Sequence, residues 1–166
     1  MRKFRSVLAQ AIAITAAVVV TATTAAPAMA SGHSLVREHF QGIAGSRDPV
    51  NPSLPIAGVP AGGAPWVLDA DSHVRLREDG RITVVVRHLV IPGRVPGNPV
   101  ATMAASLVCG DMVVDSTKSF AVSPEGNGRV RDRLAPIDSC DNPVVLVRNA
   151  TNPAGLGAYF ASAMHG

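Results

Sequence analysis

Between His73 and Arg87 apolar and charged side chains alternate on either side of Glu78-Asp79-Gly80, the pattern of two antiparallel strands joined by a tight turn. The register can be chosen on physical grounds. A two-residue Asp79-Gly80 loop would set Arg77 against Ile82 and Arg75 against Val84, mixing charge with hydrocarbon on one face. A three-residue loop, with Gly80 in the left-handed conformation that closes a bulged turn, pairs Leu76 with Ile82, Val74 with Val84 and Ser72 with Val86. The second register is expected. It makes one face of the hairpin apolar and turns Arg75, Arg77, Arg81, Thr83 and Arg87 to water. An apolar sheet face must be covered by another layer, so the hairpin already demands a two-layer fold.

Residues 1–30 stand apart from that fold. Arg2, Lys3 and Arg5 form a positive head, Val7 to Ala22 an apolar middle broken by Gln10, Thr15 and Thr21, and Ala28-Met29-Ala30 a small-x-small cleavage site. This is the pattern of a secretory signal peptide, with cleavage expected between Ala30 and Ser31. No positive stop-transfer cluster follows, so no stable membrane insertion is expected after cleavage. The leader also carries the charge asymmetry. The whole chain has 15 Lys and Arg against 12 Asp and Glu; removing Arg2, Lys3 and Arg5 leaves 12 against 12. A formally neutral exported chain gives no reason to expect a nucleic-acid partner.

Cys109 and Cys140 are the only cysteines, and both lie in the exported part. In an oxidising compartment such a pair is expected to form one disulfide. Between Gln41 and Pro65 there are five prolines and five glycines, a composition unsuited to a hydrogen-bonded ladder. Residues 31–63 are therefore expected to be a Pro/Gly-rich N-terminal segment, a linker or an extended strap, and residues 64–166 the folded domain. Within that domain short strand patterns recur between turns. Pro65 to Leu68 leads in with Trp66, the single tryptophan and an expected core anchor; Val100 to Cys109 and the apolar run Val144 to Arg148 follow. Met112 to Asp115 and Ser119 to Ser123 read as a second hairpin, and Arg129 to Leu134 resumes the alternation after the Pro124–Gly128 turn. The expected fold is an all-β antiparallel β-sandwich, immunoglobulin-like or jelly-roll-like, with one disulfide.

Arginine is the chemistry that stands out. Arg75, Arg77, Arg81 and Arg87 share one side of the hairpin, and Arg129, Arg131 and Arg133 one side of a later strand. The latter three are the candidate face for an anionic ligand; the plainer expectation is a solvated sheet surface whose charge discourages edge pairing. Asp69, Asp71, His73 and His88 form the densest titratable group. Asp71 and His73 share a strand face, but no Gly-x-Ser-x-Gly elbow supplies a nucleophile. No two of the five histidines fall at i,i+2 or i,i+4, and Asp111, Asp115, Asp138 and Asp141 lack the order of an EF-hand. No metal, cofactor or catalytic residue is expected on these patterns.

The order of Pro65-Trp66-Val67-Leu68, Leu76-Arg77-Glu78-Asp79-Gly80-Arg81-Ile82, Leu89-Val90-Ile91-Pro92, Ala105-Ser106-Leu107-Val108-Cys109 and Gly157-Ala158-Tyr159-Phe160-Ala161 resembles small secreted actinomycete proteins that carry a signal peptide and one Cys pair. That resemblance covers roughly residues 64–166 and implies a β-rich extracytoplasmic domain, with no site residues carried over. The function expected is a secreted, non-enzymatic structural or binding module whose partner is a cell-wall polymer or another secreted protein. The alternative is a secreted hydrolase or a protease inhibitor presenting the Pro92–Pro99 loop.

Overall fold

The structure, a computed structural model, describes residues 33–152 and 155–164, so the expected leader and its expected Ala30–Ser31 cleavage site lie outside the described residues. What is described is all β. Ten strands, β1 (Ser34–His39), β2 (Gln41–Gly42), β3 (His73–Arg77), β4 (Arg81–Val86), β5 (Thr102–Cys109), β6 (Met112–Ser116), β7 (Phe120–Ala121), β8 (Gly128–Arg133), β9 (Val144–Asn149) and β10 (Tyr159–Met164), form two antiparallel sheets. The four-stranded sheet runs β1-β3-β4-β8. The six-stranded sheet runs β2-β10-β9-β5-β6, with β7 also paired to β5.

The hairpin sets the register of the first sheet. Val74 lies opposite Val84 and Leu76 opposite Ile82, and Gly80 has φ of 80°, as the three-residue loop requires. The foreseen rung between Ser72 and Val86 is replaced. β3 begins at His73, and Ser72, fully buried, uses its hydroxyl to accept from Arg87 N–H (2.9 Å) and to donate to Arg87 O (3.2 Å). Inward residues of this sheet, among them Val36, Val74, Leu76, Ile82, Val84 and Val130, share one core with Met103, Ala105, Leu107, Val145, Val147 and Ala161 of the other. The covering layer that the apolar face demanded is thus the β5-β9-β10 sheet.

Of the two readings of the Pro/Gly-rich stretch, the extended strap is the one this architecture shows; a linker separate from the domain is not. The described part of residues 31–63 is built into the sandwich: β1 is the edge strand beside β3, and Phe40, Ile43, Val59 and Ala61 are core residues. Phe40 alone separates β1 from β2, so the chain changes sheets within one residue. The Pro/Gly-rich stretch then runs as a strap, tied by Tyr159 N–H to Pro60 O (2.9 Å), Gly62 N–H to Tyr159 O (2.8 Å) and the Tyr159 hydroxyl to Leu54 O (2.6 Å). Its prolines do not interfere, because the strap is held by local turns and a few long-range ties rather than by a continuous ladder. Gly42 is needed where the strap crosses Trp66, since a Cβ there would collide with the Trp66 carbonyl. Trp66 is buried and stacks on Phe160 with ring centroids 4.3 Å apart.

The second hairpin also resolves differently. β6 and β7 do not pair with each other; each pairs with β5, β6 along its C-terminal half and β7 at its start. Buried Thr117 makes the join, donating its N–H to Ala105 O (2.8 Å) and accepting Ala105 N–H on its hydroxyl (3.0 Å). Cys109 and Cys140 form the expected disulfide, with Cα atoms 5.0 Å apart, tying the end of β5 to the segment before β9.

Candidate functional site

The register of the four-stranded sheet decides which side chains share its outer face. One row across the strands reads Arg37, Arg75, Thr83, Arg131. The row toward the Gly80 turn places Ser34 opposite Arg77 and Arg81 opposite Arg133; the row on the other side reads His39, His73, Val85, Arg129. Period-2 alternation thus collects Arg37, Arg75, Arg77, Arg81, Arg129, Arg131 and Arg133 on one surface, all of them exposed. By register the carboxylates of these four strands take the other parity, Glu38 opposite buried Val74 and Asp132 opposite buried Ile82, though both are half-exposed. Asp79 of the turn reaches Arg81 Nε at 2.9 Å.

Asp132 serves the fold. It accepts the Lys118 N–H at 2.7 Å and the Arg133 N–H at 2.9 Å, and the Lys118 amide above all holds its carboxyl below the usual aspartate range. Arg148, outside the basic face, is half-buried and bonds the carbonyls of Gly157 (3.0 Å) and Leu156 (2.8 Å) and the Ser106 hydroxyl (3.3 Å). Burial lowers its pKa.

Two histidines sit at one end of the face. His39 and His73 are directly opposite each other on β1 and β3, with ring centroids 6.4 Å apart and planes at 65°. Each Nδ1 donates to a backbone carbonyl, His39 to Ala70 O at 2.7 Å and His73 to Asp71 O at 2.8 Å. His73 therefore meets the Asp71 main chain and not its carboxylate, so the Asp-His arrangement of a nucleophile-activating pair is not formed through that group. His88 lies elsewhere, in a left-handed conformation with φ of 51°, its N–H donating to Asn127 Oδ1 at 3.3 Å. A shallow cleft of about 190 Å³ runs between β1 and β3, lined by Arg37, Glu38, His39, His73, Val74 and Arg75.

No family model, curated protein or solved structure matches this chain. Its function has to be read from its own chemistry. Among the described residues, no three or more His, Cys, Asp or Glu side chains gather as they do around a multi-ligand metal. The candidates Arg129, Arg131 and Arg133 lie where the alternation placed them, outward on β8, beside β4 and continuous with the arginines of the hairpin. The sequence patterns do not single out Arg37 or join His39 to His73. The signal is the parity of Arg37 and His39 against Val36, only six residues long and broken by a bulge between Ser34 and Val36. Asp111, Asp138 and Asp141 are exposed in the loops that flank the disulfide.

Proposed function

We propose that the chain is a secreted, non-enzymatic binding module that lays the outer face of its β1-β3-β4-β8 sheet against an anionic polymer at or beyond the cell surface. Export is read from the leader, and the disulfide fits an oxidising compartment. One observation carries the reading. Seven arginines occupy a strand surface on which Arg37 faces Arg75 and Arg81 faces Arg133, against one carboxylate, Asp79, paired to Arg81 at the turn and another, Glu38, in the cleft beside Arg37. Like charges directly opposite each other destabilise a sheet, and a surface serving only solubility does better with mixed signs. A pattern that costs stability in this way is accounted for by a ligand that neutralises it.

The dimensions suit a polymer. Rows two residues apart are spaced about 6.7 Å along a strand and neighbouring strands about 4.8 Å, so the face spans about 14 Å each way. Guanidinium groups favour oxygen anions that accept two hydrogen bonds, so phosphodiester or carboxylate repeats are the matching chemistry. The test uses long-chain polyphosphate and polygalacturonate as the two probes, each titrated with the exported chain at rising salt. Saturable binding that salt weakens and Arg131→Glu abolishes supports the reading. Binding to neither polymer at low salt would overturn it.

A specific observation keeps the inhibitor reading in view. Arg94 and Val95 stand at the tip of the 92–99 loop, Val95 being 96% exposed, while the base is closed by Ile91 N–H to Gly97 O (2.8 Å) and Asn98 N–H to Pro124 O (2.9 Å). Titration against a trypsin-like protease, with Arg94→Ala as control, separates this role from polymer binding.

A further inference from the structure

We infer that His39 and His73 form an open two-histidine site for a transition-metal dication at the end of the basic face. It does not depend on the polymer reading.

The argument starts from the backbone. Phe40 N–H donates to Ser72 O at 3.0 Å, which makes the neighbouring His39–His73 rung a non-hydrogen-bonded pair. Side chains approach most closely on such rungs. Ring orientation follows. A carbonyl oxygen only accepts, so the contacts of His39 Nδ1 with Ala70 O and His73 Nδ1 with Asp71 O put the ring proton on Nδ1 in both residues. In that tautomer of imidazole the lone pair is on Nε2. This is how metal-binding histidines are held, with the far nitrogen bonded to a carbonyl that fixes the tautomer and ring plane.

Two Nε2 atoms bound to one metal at about 2.1 Å place the ring centres about 5–6 Å apart, and the observed 6.4 Å requires a closure of about 1 Å by side-chain rotation. The neighbours decide which metals fit. Arg37 and Arg75 occupy the next rung and repel any cation, which disfavours magnesium and calcium, ions that want oxygen ligands. Zinc and copper(II) form imidazole bonds strong enough to overcome that repulsion. With only two protein ligands, the remaining coordination positions go to solvent, beside the guanidiniums.

Zn2+ is the probe, titrated calorimetrically into the whole exported chain, with His33→Ala and His88→Ala as controls. One equivalent is expected. Loss of either ligand, in His39→Ala or His73→Ala, should weaken binding by about 10- to 100-fold or more, since even the outer partners of metal ligands command that range. Arg75→Gln should tighten binding by removing a like charge. Circular dichroism of each variant confirms that the sheet persists. No zinc uptake, uptake unchanged in both histidine variants, uptake lost in His33→Ala, or weaker binding in Arg75→Gln would each overturn the assignment.

Discussion

Arg75→Glu tests whether the basic face binds at a cost to the fold, because a binding face should gain stability and lose affinity on the same substitution. Arg75 lies on an inner strand, between Arg37 on β1 and Thr83 on β4, with Arg131 on the far side of Thr83. In the folded chain it stands directly opposite a like charge. Reversing its sign turns that repulsion into a cross-strand ion pair, a gain of about 0.5 kcal/mol within the usual range for such pairs, or about 2 °C in Tm for a domain of this size. Binding should move the other way. If the seven arginines each release one counterion from a flexible polyanion, the slope of log K against log salt is about −5, and removing two units of positive charge reduces it to about −3.5. The assay is polyphosphate affinity at several KCl concentrations, beside thermal melts without polymer. A variant that melts higher and binds more weakly with a shallower slope supports the argument. An unchanged slope, or a lower Tm, would refute the claim that the face holds its arginines at a cost to the fold.

Further perturbations test the frame that carries this face. Replacing Cys109 and Cys140 together by Ser should cost about 4 kcal/mol, the chain-entropy value for a separation of 31, and lower the urea midpoint by about 2 M. Gly80→Ala forces a side chain into a left-handed turn and against the Leu134 carbonyl, and a loss of about 1–3 kcal/mol should be visible in the same unfolding curves. Burial raises the Tyr159 pKa above 10.0, so the folded state holds its phenolic proton more tightly than the unfolded chain. That contribution is complete below pH 10 and is lost as pH rises through the folded pKa; in Tyr159→Phe the alkaline fall in Tm should shrink. The same variant loses the bond to Leu54 O, at about 1 kcal/mol near neutral pH.

What could be read from the sequence was what is local. The hairpin register follows from a turn of three residues and alternation on both sides of it, and the outward parity of Arg129, Arg131 and Arg133 needs only their own strand. The layered fold follows from the hairpin's apolar face. What could not be read is the lateral order of strands. β8 lies beside β4 because Val130 and Val84 share the core, and nothing within either segment announces the other. The same holds for His39 and His73, which spacing along the chain keeps apart and a cross-strand rung brings together. The choice between linker and strap for the Pro/Gly-rich stretch is hidden for a different reason. Proline and glycine argue against a ladder, yet residues 40–66 are held by local turns, by scattered long-range bonds and by Phe40, Ile43 and Trp66 in the core. Composition cannot register contacts of that kind.

The balance of 12 cationic and 12 anionic side chains beyond residue 30 hides how unevenly they are placed. Seven of the cations crowd one broad side, so the protein has an electric orientation without an electric total. At the pH where it ceases to migrate in a focusing gel it should still be retained on a sulfonate resin, docking with one side down. Electrophoresis would call it neutral, and the column would call it a base.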